Sequence, residues 1–163
     1  MKYFLLVLCL LLMVTGCTPQ ELNFDEMVVP SDFAIYYTFG VGEKNVLDSV
    51  NNLYVKDMIC DESKEYTLIL TDDEKQEIQR LIILNSFFDL EEGYEQKGNI
   101  VTVCQPSSTI TLTITMDGKT HTIHREECAG GDGDIRSLTM ALNQIIQEHE
   151  EKMEIPALQC GYV

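Results

Sequence analysis

The chain has 163 residues, 45% of them hydrophobic, with 11 basic and 27 acidic side chains and a formal net charge of −16. Residues 1–16 contain no acid and only Lys2 as a base, so the rest of the chain sets 10 basic groups against 27 acidic ones, a formal −17. That balance works against nucleic acid and anionic lipid headgroups as partners, because both need a positive surface, and the length fits one domain plus a leader.

Residues 1–16 have the form of a signal peptide. Lys2 supplies the charged start, and residues 4–14 are an unbroken apolar run. That run is shorter than the roughly 20 residues a membrane-spanning helix needs. It ends in Val14-Thr15-Gly16-Cys17, which resembles the lipobox of prokaryotic lipoproteins. The resemblance implies diacylglycerol on the Cys17 sulfur, cleavage before Cys17 and an N-terminal acyl chain such as palmitate. Two or three acyl chains anchor stably where one does not. Residues 17–30 are then expected to form a lipidated tether from which Leu22, Phe24, Met27, Val28 and Val29 can dock back. Residues 31–163 are expected to form a single extracytoplasmic domain held at the cell membrane.

In the domain, Phe33, Ile35, Tyr37 and Phe39 alternate with Ala34, Tyr36 and Thr38, the period of a strand with one buried face. Residues 40–44 make a turn without phosphate-loop spacing. Residues 45–50 and 53–59 read as a hairpin around Asn51-Asn52, since Asn tolerates positive φ. Residues 66–70 read as a short strand. Thr71-Asp72-Asp73-Glu74 is a capping box, which accounts for the acidic triplet without a metal site. The helix it opens, residues 72–85, is expected to bury Ile78, Leu81, Ile82 and Leu84, with Phe87, Phe88 and Leu90 packing at its exit.

Residues 109–116 alternate threonine with Ile110, Leu112, Ile114 and Met116. Asp117-Gly118 follows, and residues 119–124 alternate again, the pattern of a type I′ hairpin. The implied register opposes Met116 to Lys119, Ile114 to His121 and Leu112 to Ile123, with Thr113–Thr122 and Thr115–Thr120 on the other face. After a Gly- and Asp-rich stretch with Asp134 as the expected helix cap, Ile135, Leu138, Leu142, Ile145, Ile146, His149 and Met153 repeat at helical spacing. The expected helix covers residues 135–153, with Glu148, Glu150, Glu151 and Glu154 as its solvated end and Pro156 as its stop. Hairpins rather than β-α-β crossovers point to an α+β fold, an antiparallel sheet of hairpins with two helices packed on one face.

Cys60, Cys104, Cys128 and Cys160 remain after the leader and the lipidated Cys17, an even number that fits two disulfides. Cys104 and Cys128 flank the Thr-rich hairpin, so the expected pairs are Cys104–Cys128 and, by elimination, Cys60–Cys160. No Cys-x-x-Cys spacing supports zinc or redox chemistry. Phe39-Gly40-Val41-Gly42-Glu43-Lys44-Asn45, Tyr54-Val55-Lys56-Asp57-Met58-Ile59-Cys60-Asp61 and the capping box resemble a set of small prokaryotic lipoproteins and secreted proteins of unknown function. The resemblance implies one exported α+β domain and carries no functional residue.

No catalytic constellation stands out. His121 and His124 are three apart on a strand and point to opposite faces. His124 and Cys128 form a nucleophile–base pair only if Cys128 is a free thiol. Asp132 and Asp134 are the candidate metal ligands, in a Gly-Asp run that lacks the ladder of a calcium loop. The expectation is a membrane-anchored, non-enzymatic binding or interaction module, with no cofactor and an envelope protein or ligand as partner. Its alternatives are a small extracytoplasmic hydrolase using carboxylates and a calcium-dependent adhesive domain.

Overall fold

A computed structural model describes residues 27–92, 108–126 and 135–162. Cys17, Cys104, Cys128, Asp132 and Asp134 lie outside the described residues, and so do the expected leader and the Cys104–Cys128 pair; the last helix is capped at Ile135, with no side-chain cap bond, rather than at the expected Asp134.

The described chain forms one six-stranded antiparallel sheet and two helices. The strands are β1 (Ala34–Val41), β2 (Asn45–Asp48), β3 (Leu53–Lys56), β4 (Lys64–Thr67), β5 (Ser108–Met116) and β6 (Lys119–Glu126), in spatial order β4-β3-β2-β1-β5-β6. Helix α1 (Asp72–Leu84) runs into a 3₁₀ turn (Phe87–Asp89), and α2 (Arg136–Lys152) closes the order. No helix among the described residues is long and apolar enough to cross a membrane.

The β5–β6 hairpin has the expected register, from Met116 opposite Lys119 to Leu112 opposite Ile123. Asp117 and Gly118 both take positive φ, 52° and 72°, which matches the twist of the flanking strands. Asp32 braces this turn from outside, its carboxylate accepting from the Gly118 amide at 2.7 Å and the Asp117 amide at 3.1 Å. On the outward face the hydroxyls pair across the strands, Thr113 with Thr122 at 2.8 Å and Thr115 with Thr120 at 2.9 Å.

The inward face is the core. Ile35 and Tyr37 of β1, Leu47 of β2, Tyr54 of β3, Ile110, Leu112 and Ile114 of β5 and Ile123 of β6 are buried under the helices. α1 contributes Ile78, Leu81 and Ile82, and α2 contributes Leu138, Leu142, Ile145 and Ile146. Phe87 is fully buried and meets the His121 ring edge-on, while His121 Nε2 donates to the Leu90 carbonyl at 2.9 Å. The capping box is present, with Glu74 N donating to the Thr71 hydroxyl and Thr71 N to the Glu74 carboxylate.

Three local expectations are corrected. The β2–β3 turn is four residues long rather than the Asn51-Asn52 pair, because Val46, Leu47 and Asp48 oppose Val55, Tyr54 and Leu53. The Asp48 carboxylate accepts from the Val50 and Asn51 amides and organises that wider turn, while Asn52 alone takes positive φ. β4 begins at Lys64 and ends at Thr67, since Tyr66 pairs opposite Tyr54; Leu68 and Leu70 leave the ladder to enter the core. Leu84 is 55% exposed, and the fourth buried residue of α1 is instead Gln79, more than a turn earlier, whose amide donates to the Val28 carbonyl. Part of the expected tether thus lies against α1.

Candidate functional site

The site begins with a polar residue in an apolar place. On β3 the inward positions are Tyr54 and Lys56, and Lys56 is only 7% exposed. A buried ammonium needs a partner. α2 provides it, because Leu142, Ile146 and Glu150 fall at four-residue spacing and share the inward stripe. Glu150 Oε2 lies 2.8 Å from Lys56 Nζ, and Oε1 accepts from the Tyr54 hydroxyl at 2.5 Å. Burial, then Glu150, push the Tyr54 hydroxyl far above its ordinary value, so it remains a donor. One residue of the expected solvated end of α2 is corrected here: Glu148, Glu151 and Glu154 are exposed, but Glu150 turns inward because two buried donors converge on it.

The residue that follows β3, Asp57, is 5% exposed. Its amide donates to Asn45 Oδ1 at 3.0 Å, and the Asn45 amide group donates to the Phe39 carbonyl at 3.2 Å, tying the ends of β1, β2 and β3 together. Asp57 Oδ1 accepts from the Ile59 amide at 3.0 Å, and Oδ2 accepts from the Tyr162 hydroxyl, with Lys44 Nζ at 4.0 Å. Burial pushes the Asp57 carboxyl up, but the Tyr162 hydroxyl, the Ile59 amide and Lys44 outweigh it and hold it below the ordinary carboxylate value. The same bond to Asp57, with burial behind it, pushes the Tyr162 hydroxyl up to about 12.

Tyr162 reaches Asp57 because the C-terminal tail folds back. α2 ends when Glu154 takes positive φ (53°) and the Ile155 amide bonds the Glu150 carbonyl. The tail is then joined to the body by the Cys60–Cys160 disulfide. Between tail and sheet end lies a cleft of about 390 Å³. Phe39, Val41, Ile59 and Leu158 give it apolar walls, and Tyr54, Lys56, Asp57, Glu150 and Tyr162 its polar groups.

A second polar cluster sits on the outward face of the sheet. Glu43 accepts from the Thr38 hydroxyl at 2.7 Å and lies 3.4 Å from His124 Nδ1, which is itself 2.9 Å from Thr111 Oγ1. Carboxylate and hydroxyl meet the same ring nitrogen, so the imidazole cannot pass a proton between them as a Ser-His-Asp relay would. Burial pushes the Glu43 carboxyl up and the Thr38, Thr111 and Thr109 hydroxyls with His124 pull it lower.

Of the residues singled out by sequence, Cys60 and Cys160 are brought together. His121 and His124 lie on opposite faces, one against Leu90 and the other against Glu43 and Thr111. Local sequence rules give Tyr54, Lys56, Asp57 and Tyr162 no functional role and set Glu150 in a solvated helix end. The available signal was phase: Lys56 shares the apolar face of its strand and Glu150 the apolar stripe of its helix. Comparison with protein-family models, with curated proteins and with solved structures returns no match, so what the cleft can do rests on its own chemistry.

Proposed function

We propose that this protein is an exported binding module, anchored to a membrane through lipid on Cys17, that takes its ligand in the cleft at the sheet end. The observation that supports it most is the condition of the polar groups there. Lys56 is paired with Glu150, Asp57 accepts from two donors, and the tail above them is covalently fixed. Such a recess is already organised before a ligand arrives, which lowers the cost of binding.

The hydrolase alternative draws on the same place, because Asp57 and Glu150 both line the cleft. Acid–base hydrolysis wants one carboxyl held protonated near neutral pH. Asp57 is pulled the opposite way, and both Glu150 oxygens are engaged. The calcium-dependent alternative rests on Asp132 and Asp134 and is tested by whether millimolar calcium raises the melting temperature.

The decisive experiment puts a photo-crosslinking amino acid at Leu158, on the cleft wall, in the full-length lipoprotein in cells, with the same substitution at Thr67 of β4 as the control. A discrete adduct at Leu158 and not at Thr67 supports the module. No adduct, together with turnover of an envelope polymer that Asp57→Asn abolishes, sinks it in favour of the hydrolase. Cys17→Ala should move the protein out of the membrane fraction; retention there would remove the lipid anchor from the proposal.

A further inference from the structure

Two lysines face the carboxylates of the cleft, Lys56 from its lining and Lys44 from beside Asp57 and Tyr162, and they are held very differently. Lys56 is buried and hydrogen-bonded to Glu150 at 2.8 Å. Lys44 has a side chain 54% exposed; its Nζ stands 4.0 Å from Asp57 Oδ2, beyond hydrogen-bond length, and 5.9 Å from the centroid of the Tyr162 ring. A cation within about 6 Å of an aromatic face and beside a carboxylate is in an attractive field. Lys44 therefore sits at a cation-binding spot without closing a bond there.

We propose that the cleft recognises a primary alkylammonium group, and that Lys44 occupies that group's place in the free protein. The proposal rests on the cleft being the ligand site. An entering ammonium would replace the 4.0 Å approach with a charge-assisted hydrogen bond to Asp57, of about 2.7–2.9 Å, against the face of Tyr162. Its hydrocarbon would lie on Phe39, Val41, Ile59 and Leu158, which line the same cleft. An anion would meet Asp57 and Glu150, with both lysines already facing those carboxylates, and would enter against a net charge of −16. A neutral donor would reach Asp57 with an uncharged hydrogen bond only, the weaker kind.

The test is calorimetric titration of the full-length, detergent-purified lipoprotein with butylammonium, butanol and butyrate, which share one chain length. Saturable one-to-one binding of butylammonium, at least about tenfold tighter than butanol, with no binding of butyrate, is expected. Lys44→Ala should tighten butylammonium several-fold by removing the internal competitor, whereas Lys119→Ala, an equal loss of charge on the β5–β6 turn, should leave it unchanged. Asp57→Asn should weaken it about tenfold or more; Tyr162→Leu, which keeps Asp57 and removes the ring, should also weaken it if Asp57→Asn proves unfolded by circular dichroism. Equal binding of butylammonium and butanol would overturn the ammonium inference and leave the cleft as a ligand site. Equal effects of Lys44→Ala and Lys119→Ala would overturn the competitor role. No binding of any probe, with no adduct at Leu158, would overturn both the inference and the proposed module.

Discussion

Glu74 answers to two elements at once. Its carboxylate accepts from the Thr71 amide at 2.7 Å and meets His149 Nε2 at 3.0 Å, joining the start of α1 to the last turns of α2. Burial pushes its carboxyl up; the Thr71 amide, His149 and the Thr71 hydroxyl outweigh that and hold it below the ordinary value. A depressed folded-state value contributes stability above the unfolded value, and that contribution disappears as pH falls through the folded one. Glu74→Gln should therefore lower the melting temperature at neutral pH. Its gap to the wild type should shrink as pH drops below about 4.5, where the unfolded carboxyl begins to protonate; thermal melts at pH 7 and pH 3 check this. Gly40 is a second residue with a defined penalty. Its φ is 86°, and a Cβ there would lie 2.7 Å from Asn45 Nδ2. Gly40→Ala should cost about 1–3 kcal/mol and disturb the Asn45 bonds that fix Asp57. Gly42→Ala, also at positive φ but with open space around it, should cost about 1–2 kcal/mol. Chemical denaturation of the pair separates backbone strain from collision.

α2 buries Leu138, Leu142, Ile145 and Ile146, and its two sides should respond differently to truncation. Leu142 is fully buried, so Leu142→Ala should cost about 2–5 kcal/mol through lost burial and the cavity left behind. Met140, 61% exposed, should tolerate alanine within about 0.5 kcal/mol. Equal losses in urea melts would mean α2 is seated differently. This helix also illustrates what a sequence reveals. Its apolar stripe, the Thr71 capping box and the Asp117-Gly118 register were legible because each is a local rule with its signal inside a few residues. Glu150 was not, since the Tyr54 hydroxyl and Lys56 ammonium that draw it inward come from a strand about a hundred residues earlier, and an acid late in a helix reads locally as solvated. Tyr162 was hidden for a similar reason: its partner Asp57 lies 105 residues earlier, and the tail that carries it is joined to the body by a disulfide. The Asn51-Asn52 turn was misplaced by one competing group, the Asp48 carboxylate, which captures the amides of Val50 and Asn51 and widens the loop.

Across the whole molecule the Cys60–Cys160 bond spans 100 residues of sequence. In a loop-entropy model a closure of that length contributes roughly 4–5 kcal/mol by restricting the unfolded chain. The Cys60→Ser, Cys160→Ser double variant should lose stability on that scale, by denaturant melts under oxidising conditions, and should lose the Tyr162–Asp57 bond with it. Faster exchange of the Ile155 amide, which is bonded to the Glu150 carbonyl in the wild type, would report the freed tail. Wild-type stability in the variant would mean that the tail is held without the bond. The expected Cys104–Cys128 pair is checked by non-reducing peptide mapping; the structure places Ser108 and Glu126, which lead toward these two cysteines, at one end of the sheet, where Thr109 opposes Glu126.

β1 lies in the middle of the sheet but is synthesised before any of its neighbours. β2 reaches it after a short turn, yet β5, whose Ser108 pairs with Val41 and whose Thr115 pairs with Ala34, comes much later. At roughly 5–20 residues per second of synthesis, the wait between the two partners is several seconds. Through that interval a strand carrying Tyr36, Tyr37 and Phe39 presents an unpaired backbone edge, the feature through which one nascent chain can pair with another. The segment most exposed to misassembly during synthesis is therefore the one that ends with a neighbour on each side.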